Sequence, residues 1–210
     1  MEKNGKIDFP LVDYLATYLS FYMPSERAWQ VASALANRYG TLYVMAAASE
    51  SDLLDVPGMN PHSIAALRLL AAIHSRRTVD RFKKGRAYTE RQIRELLRAL
   101  FLGRRYETLI CLSFDKEGKF IATDTVGDGT INLLDIAPRR VLDAAVERRA
   151  KSVIIAHNHP KGAADISRDD RSATDRVRSV LEAAGISLVD HYLVTDELCL
   201  RVESEAELGK

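Results

Sequence analysis

Apolar residues recur at helical spacing through most of the first eighty positions, and then the spacing changes. In Leu11-Val12-Asp13-Tyr14-Leu15-Ala16-Thr17-Tyr18-Leu19 they mark one face of a helix. A second helix is predicted after Pro24-Ser25, running through Trp29, Val31, Leu35 and Ala36 and stopping at Gly40. Ser51-Asp52-Leu53-Leu54-Asp55 leads into Val56-Pro57-Gly58-Met59-Asn60-Pro61, and an apolar helix follows from His62 to about His74. A short helix, a Pro-Gly turn and another helix form a helical hairpin. The stretch Arg76 to Arg86 holds six basic residues against one acidic. It reads as the tail of the last helix plus a basic linker, either a solvated face or a phosphate-binding one.

From Thr89 strand periodicity joins the helical one. Thr89-Glu90-Arg91-Gln92 is a capping box, and Ile93, Leu96, Leu97, Leu100 and Phe101 then form an apolar stripe. Strand-like runs occupy Thr108 to Phe114, Lys119 to Val126 and Lys151 to Ala156, the first two joined by the turn Asp115-Lys116-Glu117-Gly118. Pro138 to Arg149 reads as a helix with proline in its first turn. Ser167 to Ala184 reads as another, ended by Gly185, and Ile186 to Val194 and Leu198 to Val202 read as closing strands around the turn Thr195-Asp196-Glu197. Strands, helices and a hairpin together predict an α/β fold with a mixed β-sheet flanked by helices, preceded by a small all-helical domain. The expected boundaries are 1–80 for the helical domain, 81–88 for the basic linker and 89–210 for the α/β domain.

Composition narrows the function classes. The 210 residues are 47% hydrophobic and 28% charged, ordinary for a soluble globular protein. A net charge of +1 gives no whole-molecule field to recruit nucleic acid or an acidic membrane, so such attraction needs a local patch. No apolar run approaches the ~20 residues of a bilayer span, and Met1 to Lys6 leads into no signal-peptide core. Cytoplasmic localisation without membrane contact is the expectation. The two cysteines, Cys111 and Cys199, lie in apolar strands and read as small core residues; they are too few for a four-cysteine zinc site.

The candidate chemistry lies in His157-Asn158-His159-Pro160-Lys161-Gly162-Ala163-Ala164-Asp165-Ile166-Ser167-Arg168-Asp169-Asp170. Val153-Ile154-Ile155-Ala156 reads as a buried strand, so His157 emerges at its end. Residues two apart on a strand share a face, which lets His157 and His159 converge on one ion. Pro160 and Gly162 turn the chain, and Asp170, in the first turn of the next helix, swings back as a third ligand. Two imidazoles and a carboxylate suit one Zn2+ per chain, with a fourth position left to water whose pKa zinc lowers to about 7. Ser167-Arg168-Asp169-Asp170 also fits a plain helix start.

His-x-His-Pro followed by Ser-x-x-Asp resembles the JAMM (MPN+) zinc metalloprotease family. Gly129-Thr130-Ile131-Asn132, Pro138-Arg139-Arg140-Val141-Leu142, His157-Asn158-His159-Pro160 and Asp190-His191 are similar to the bacterial RadC branch, as is the N-terminal half to that branch's helix-hairpin-helix domain. The resemblance implies a JAMM/MPN-type sheet, zinc held by His157, His159 and Asp170, and Ser167 stabilising an oxyanion. It also implies a catalytic carboxylate upstream, where relatives carry glutamate and this chain carries Asp124. The shorter side chain matters because misplacements of ~1 Å can cost ~100-fold. Asp124 is a general base or a plain strand residue, with Asp128 a nearby, off-register substitute. His191 is either a supporting group behind the metal ligands or a structural histidine. Val56-Pro57-Gly58-Met59-Asn60 resembles a nucleic-acid-binding hairpin turn, with Asn60 where a second glycine is usual; this makes Gly58, Asn60, Lys83 and Lys84 candidate DNA contacts. Two functions compete: a zinc-dependent hydrolase of peptide or isopeptide bonds in a peptide or protein substrate, with a family-level link to DNA repair, and a non-catalytic zinc-containing module that binds protein or DNA.

Overall fold

The structure, a computed structural model, describes residues 10–129, 133–160, 165–195 and 198–202, and of residues 133–137 the backbone path alone. The turn residue Gly162, and Thr130-Ile131-Asn132, lie outside the described residues. The chain divides into two compact units, Met1–Ile73 and His74–Lys210.

The first unit is helical: α1 (Leu11–Leu19), α2 (Ser25–Tyr39), α3 (Leu42–Ala47), α4 (Glu50–Leu54) and the start of α5 (Pro61–Asp80). Helices α3 and α4 are too short to show a periodic stripe, and their start signals are local. Thr41 and Ser49 accept hydrogen bonds from the Val44 and Asp52 amides, satisfying donors that a helix start leaves open. Leu15, Leu19, Val31, Leu35, Met45, Leu53, Ile64 and Leu67 interdigitate as the core. The α4–α5 turn sits tightly on α2. Gly58 has φ +98°, and a Cβ there would stand 2.7 Å from Val31 Cγ2 and 3.2 Å from Arg27 Nε.

The second unit is built on a five-stranded mixed sheet. Its elements are α6 (Glu90–Phe101), β1 (Thr108–Phe114), β2 (Phe120–Asp128), α7 (Leu133–Glu147), β3 (Ser152–Asn158), α8 (Arg168–Ala183), β4 (Ser187–Val194) and β5 (Cys199–Arg201). Strand order is β2-β1-β3-β4-β5; among the described residues only β3 and β4 pair in parallel, and α8 makes the crossover between them. The capping box at Thr89 is present and starts α6. The stripe of α6 (Ile93, Leu96, Leu97, Phe101) covers one sheet face against Ile110, Leu112, Ile154 and Tyr192. Helices α7 and α8 cover the other, with Val141, Ala145, Val177 and Leu181 on Leu109, Cys111, Val153 and Ile155. Each strand thus feeds alternate residues to two cores, as its period of two requires. Burial pushes the Cys111 thiol up to about 12 and the Cys199 thiol up to about 11, so both stay protonated and inert, as core cysteines do.

Two features differ from the sequence reading. Helix α7 begins before Pro138, which lies inside it. Proline removes one amide donor, yet its fixed φ is helical, and the turn before it continues the helix. Residues 81–88, read above as a linker, fall within the second unit and pair with its sheet. Gly85 donates to the Phe120 carbonyl and Phe120 donates to the Arg86 carbonyl, each at 2.8 Å. Phe82 and Tyr88 stack at 4.3 Å and pack on the α6 core. Two aromatic rings within a basic run suffice to dock it. Among the described residues, no helix is long and apolar enough to cross a membrane.

Replacing Gly58 with alanine combines a disfavoured backbone conformation with a contact too short for a real Cβ. It is expected to destabilise the helical unit by about 1–3 kcal/mol, read from urea unfolding of wild type and Gly58→Ala side by side.

Candidate metal centre

The end of β3 and the start of α8 meet because a helix that joins two parallel strands begins at the carboxyl end of the first. His157 belongs to β3, in register with Leu109 of β1, and His159 extends the pairing by donating its amide to Val194 O at 3.0 Å. Asp170 is the third residue of α8. Its amide donates to Ser167 Oγ at 3.0 Å, while Ser167 donates from N (2.9 Å) and Oγ (2.6 Å) to Asp170 Oδ2. This capping box leaves Oδ1 facing β3, where it lies 3.1 Å from His157 Nε2. One ligand atom each from His157, His159 and Asp170 falls within 4.8 Å of the others. The three residues that sequence spacing singled out as ligands therefore converge.

The fit to a cation rests on one atom in particular. His157 Nε2 is buried and has no hydrogen-bond partner of acceptable direction, although the Asp170 oxygen is close. Nearly all buried polar atoms are paired, and a cation between the three residues would pair this one. Two imidazoles and a carboxylate, one position short of a tetrahedron, suit zinc. Burial alone would raise the Asp170 carboxyl, but the neighbouring His157 and the Ser167 donors outweigh it and hold it well below the usual carboxylate range. The group is therefore an anion ready to ligate.

A polar shell stands behind these residues. His191 of β4 meets His157 Nδ1 through Nε2 at 2.8 Å and Thr174 Oγ1 through Nδ1 at 2.7 Å. Thr174 in turn donates to the Asp170 carbonyl at 2.6 Å. Burial, reinforced by His157, pushes His191 well below its ordinary pKa and keeps it neutral. Asn158 accepts from the Thr108 amide at 2.8 Å and donates to Tyr106 O at 3.2 Å, tying the end of β3 to the start of β1. Sequence reading left His191 between two roles and gave none to Thr174 or Asn158. Thr174 was findable, because it lies one helical turn beyond Asp170 on the same face. Asn158 between two histidines carries no periodic signal.

Asp124 of β2 is placed differently. It pairs with Cys111, which pairs with Ile155, so it shares the sheet face of His157 but lies across β1 and two positions back along β3. Its carboxylate is forked by Arg148, at 2.6 Å from one guanidinium nitrogen and 3.0 Å from another. Asp128 accepts from Thr108 Oγ1 at 3.1 Å, and the register shift between Leu109 and Ile110 puts it opposite Thr108, on the other face of the sheet. Gly58 and Asn60 lie in the helical unit. Asn60 Oδ1 accepts from the His62 and Ser63 amides at 3.0 Å each, so the residue caps α5. Lys83 and Lys84 are exposed.

The RadC-like JAB domain family matches residues 87–207, which include the strands and helices of the second unit and all the residues of the metal cluster. The chain belongs to the RadC family. The UPF0758 protein of Shewanella woodyi is 33% identical over 208 residues, 99% of this chain and 91% of that protein. The UPF0758 protein of Shewanella sediminis is 32% identical, covering 95% of this chain and 89% of its own length. That of Nitrosospira multiformis is 29% identical, with 91% and 86% covered. The RadC likeness thus includes the helical unit, and the mixed sheet flanked by helices is the JAB/MPN-type architecture. This family context indicates a JAMM-type metallohydrolase fold, whose His157, His159 and Asp170 form a candidate cluster for the zinc typical of it.

Removing the Asn158 side chain leaves the buried Thr108 amide unpaired beside the site. Asn158→Ala is expected to cost about 1–3 kcal/mol of unfolding free energy, measured by denaturant titration.

Proposed function

We propose that this RadC-family protein is a zinc-dependent hydrolase of peptide or isopeptide bonds. The observation that carries the reading is the convergence of His157, His159 and Asp170 within 4.8 Å around a buried, unpartnered imidazole nitrogen. Zinc held by those three residues would polarise a substrate carbonyl and supply a water acidified to a pKa of about 7. Ser167, whose hydroxyl is spent on Asp170 Oδ2, would turn that donor toward the substrate oxyanion. Asp124 would take the proton from the attacking water, on the same sheet face as His157, once its carboxylate leaves Arg148.

The Asp124–Arg148 fork favours a second reading, a zinc-containing module without turnover that binds protein or DNA. Here Asp124 is a clamp between β2 and the residue just past α7, and the site lacks a base. A link to DNA repair through the hairpin belongs to this reading. Asn60 already takes two of the helix-start amides that would otherwise meet a phosphate.

The purified protein is expected to hold about one equivalent of tightly bound zinc, and less than about half an equivalent would sink both readings. A peptide-library assay then separates them. Cleavage by wild type, lost in Asp124→Ala and raised in Arg148→Ala, supports the hydrolase. Zinc without cleavage, with turnover appearing in Asp124→Glu, supports a lapsed base. For the hairpin, Asn60→Gly is expected to strengthen salt-sensitive duplex binding, because it frees the His62 and Ser63 amides. Unchanged binding in Asn60→Gly and in Lys83→Ala/Lys84→Ala would remove DNA from the account.

A further inference from the structure

The groups behind His157 form a chain of hydrogen bonds whose direction can be assigned from one end. Thr174 Oγ1 lies 2.6 Å from the Asp170 carbonyl oxygen. Two oxygens that close need a proton between them, and a carbonyl has none to give, so the hydroxyl donates. Its single proton is then committed. At 2.7 Å from His191 Nδ1 the same oxygen can only accept, so His191 carries its proton on Nδ1. The His191 ring is buried, and neither of its hydrogen-bonding neighbours, Thr174 Oγ1 and His157 Nδ1, is an anion that could balance a charge. The ring is neutral, so its other nitrogen, Nε2, presents a lone pair to His157 Nδ1 at 2.8 Å. His157 must therefore donate from Nδ1. Any further proton on this ring sits on Nε2, the atom that a cation would take.

We propose that Thr174 and His191 are positioning residues that lock His157 in its Nδ1–H form, so that Nε2 is the atom it offers to the metal. The proposal rests on the zinc reading for its purpose, but the proton arrangement stands on hydrogen-bond direction and on the burial of His191 without a counter-ion. In water a histidine side chain prefers to carry its proton on Nε2, which would turn a donor, not a lone pair, toward the cation. The carbonyl of Asp170 reverses that preference three groups away. Asp170 thus acts on the site twice: through its carboxylate as a ligand, and through its backbone oxygen as the anchor of the proton chain. Metal-ligating histidines depend on such partners for orientation and basicity, and losing one typically costs about 10–100-fold in metal affinity.

The test combines a tautomer measurement with a metal measurement. Two-bond 1H–15N spectra of the metal-free, 15N-labelled protein, taken above the ordinary histidine pKa, should show both His157 and His191 protonated on Nδ1. Thr174→Val keeps the shape and removes the hydroxyl. It is expected to lose that tautomer pattern and to weaken zinc binding by about 10–100-fold in chelator competition, whereas Thr174→Ser should keep both. His157 protonated on Nε2 and not on Nδ1 in wild type would overturn the proposal. So would a folded Thr174→Val protein with wild-type zinc affinity. If Thr174→Val does not fold, the wild-type spectrum decides. If wild type binds no zinc but shows the Nδ1–H pattern, the metal reading fails and the proton chain survives.

Discussion

The start of α8 lies at the end of β3 with Asp170 facing His157 at 3.1 Å, and the site depends on that closure. A carboxylate and an imidazole buried side by side are costly unless each is satisfied on its other flank. Ser167 does this for Asp170, and His191 does it for His157. The crossover makes the closure possible at all. A helix joining two parallel strands has its N-terminus at the carboxyl end of the first, where His157 and His159 emerge.

Around that contact the interior is polar yet nearly complete in its hydrogen bonding. Thr174, His191 and Asn158 are buried, and each finds partners from a different element. Such a network tolerates little loss, since an orphaned member pays full desolvation in a low-dielectric interior. The unpartnered Nε2 of His157 is therefore conspicuous. One unsatisfied atom among satisfied neighbours, aimed at two other candidate ligands, is what a metal site looks like from the protein side.

The catalytic question turns on a different part of the sheet. Asp124 shares a face with the metal cluster, but β1 intervenes, and the nearest strong partner is Arg148. A glutamate at that position would reach about one C–C bond further from the same backbone, a difference large enough to matter for proton transfer. Holding a strand to its covering helix and taking a proton are competing uses of one carboxylate. The forked ion pair is half-exposed, so its strength is modest and salt-dependent, which leaves the competition close.

Much of this protein was legible in the chain itself. Strand alternation, the α6 stripe, the capping boxes at Thr89 and Ser167 and the His-x-His-Pro spacing are local signals, written by geometry repeating every two or 3.6 residues. They determined the fold class and the three candidate ligands. What reads locally stops where distant segments meet. Residues 81–88 look solvated until Phe82 and Tyr88 find Phe120. Asp124 looks like a free carboxylate until Arg148, twenty-four positions away, closes on it. His191, thirty-four residues from His157, becomes its partner only because β3 and β4 lie in parallel register. Hydrogen-bond direction and charge pairing are properties of neighbours in space, so tertiary structure alone decided which nitrogen of His157 is left for a metal.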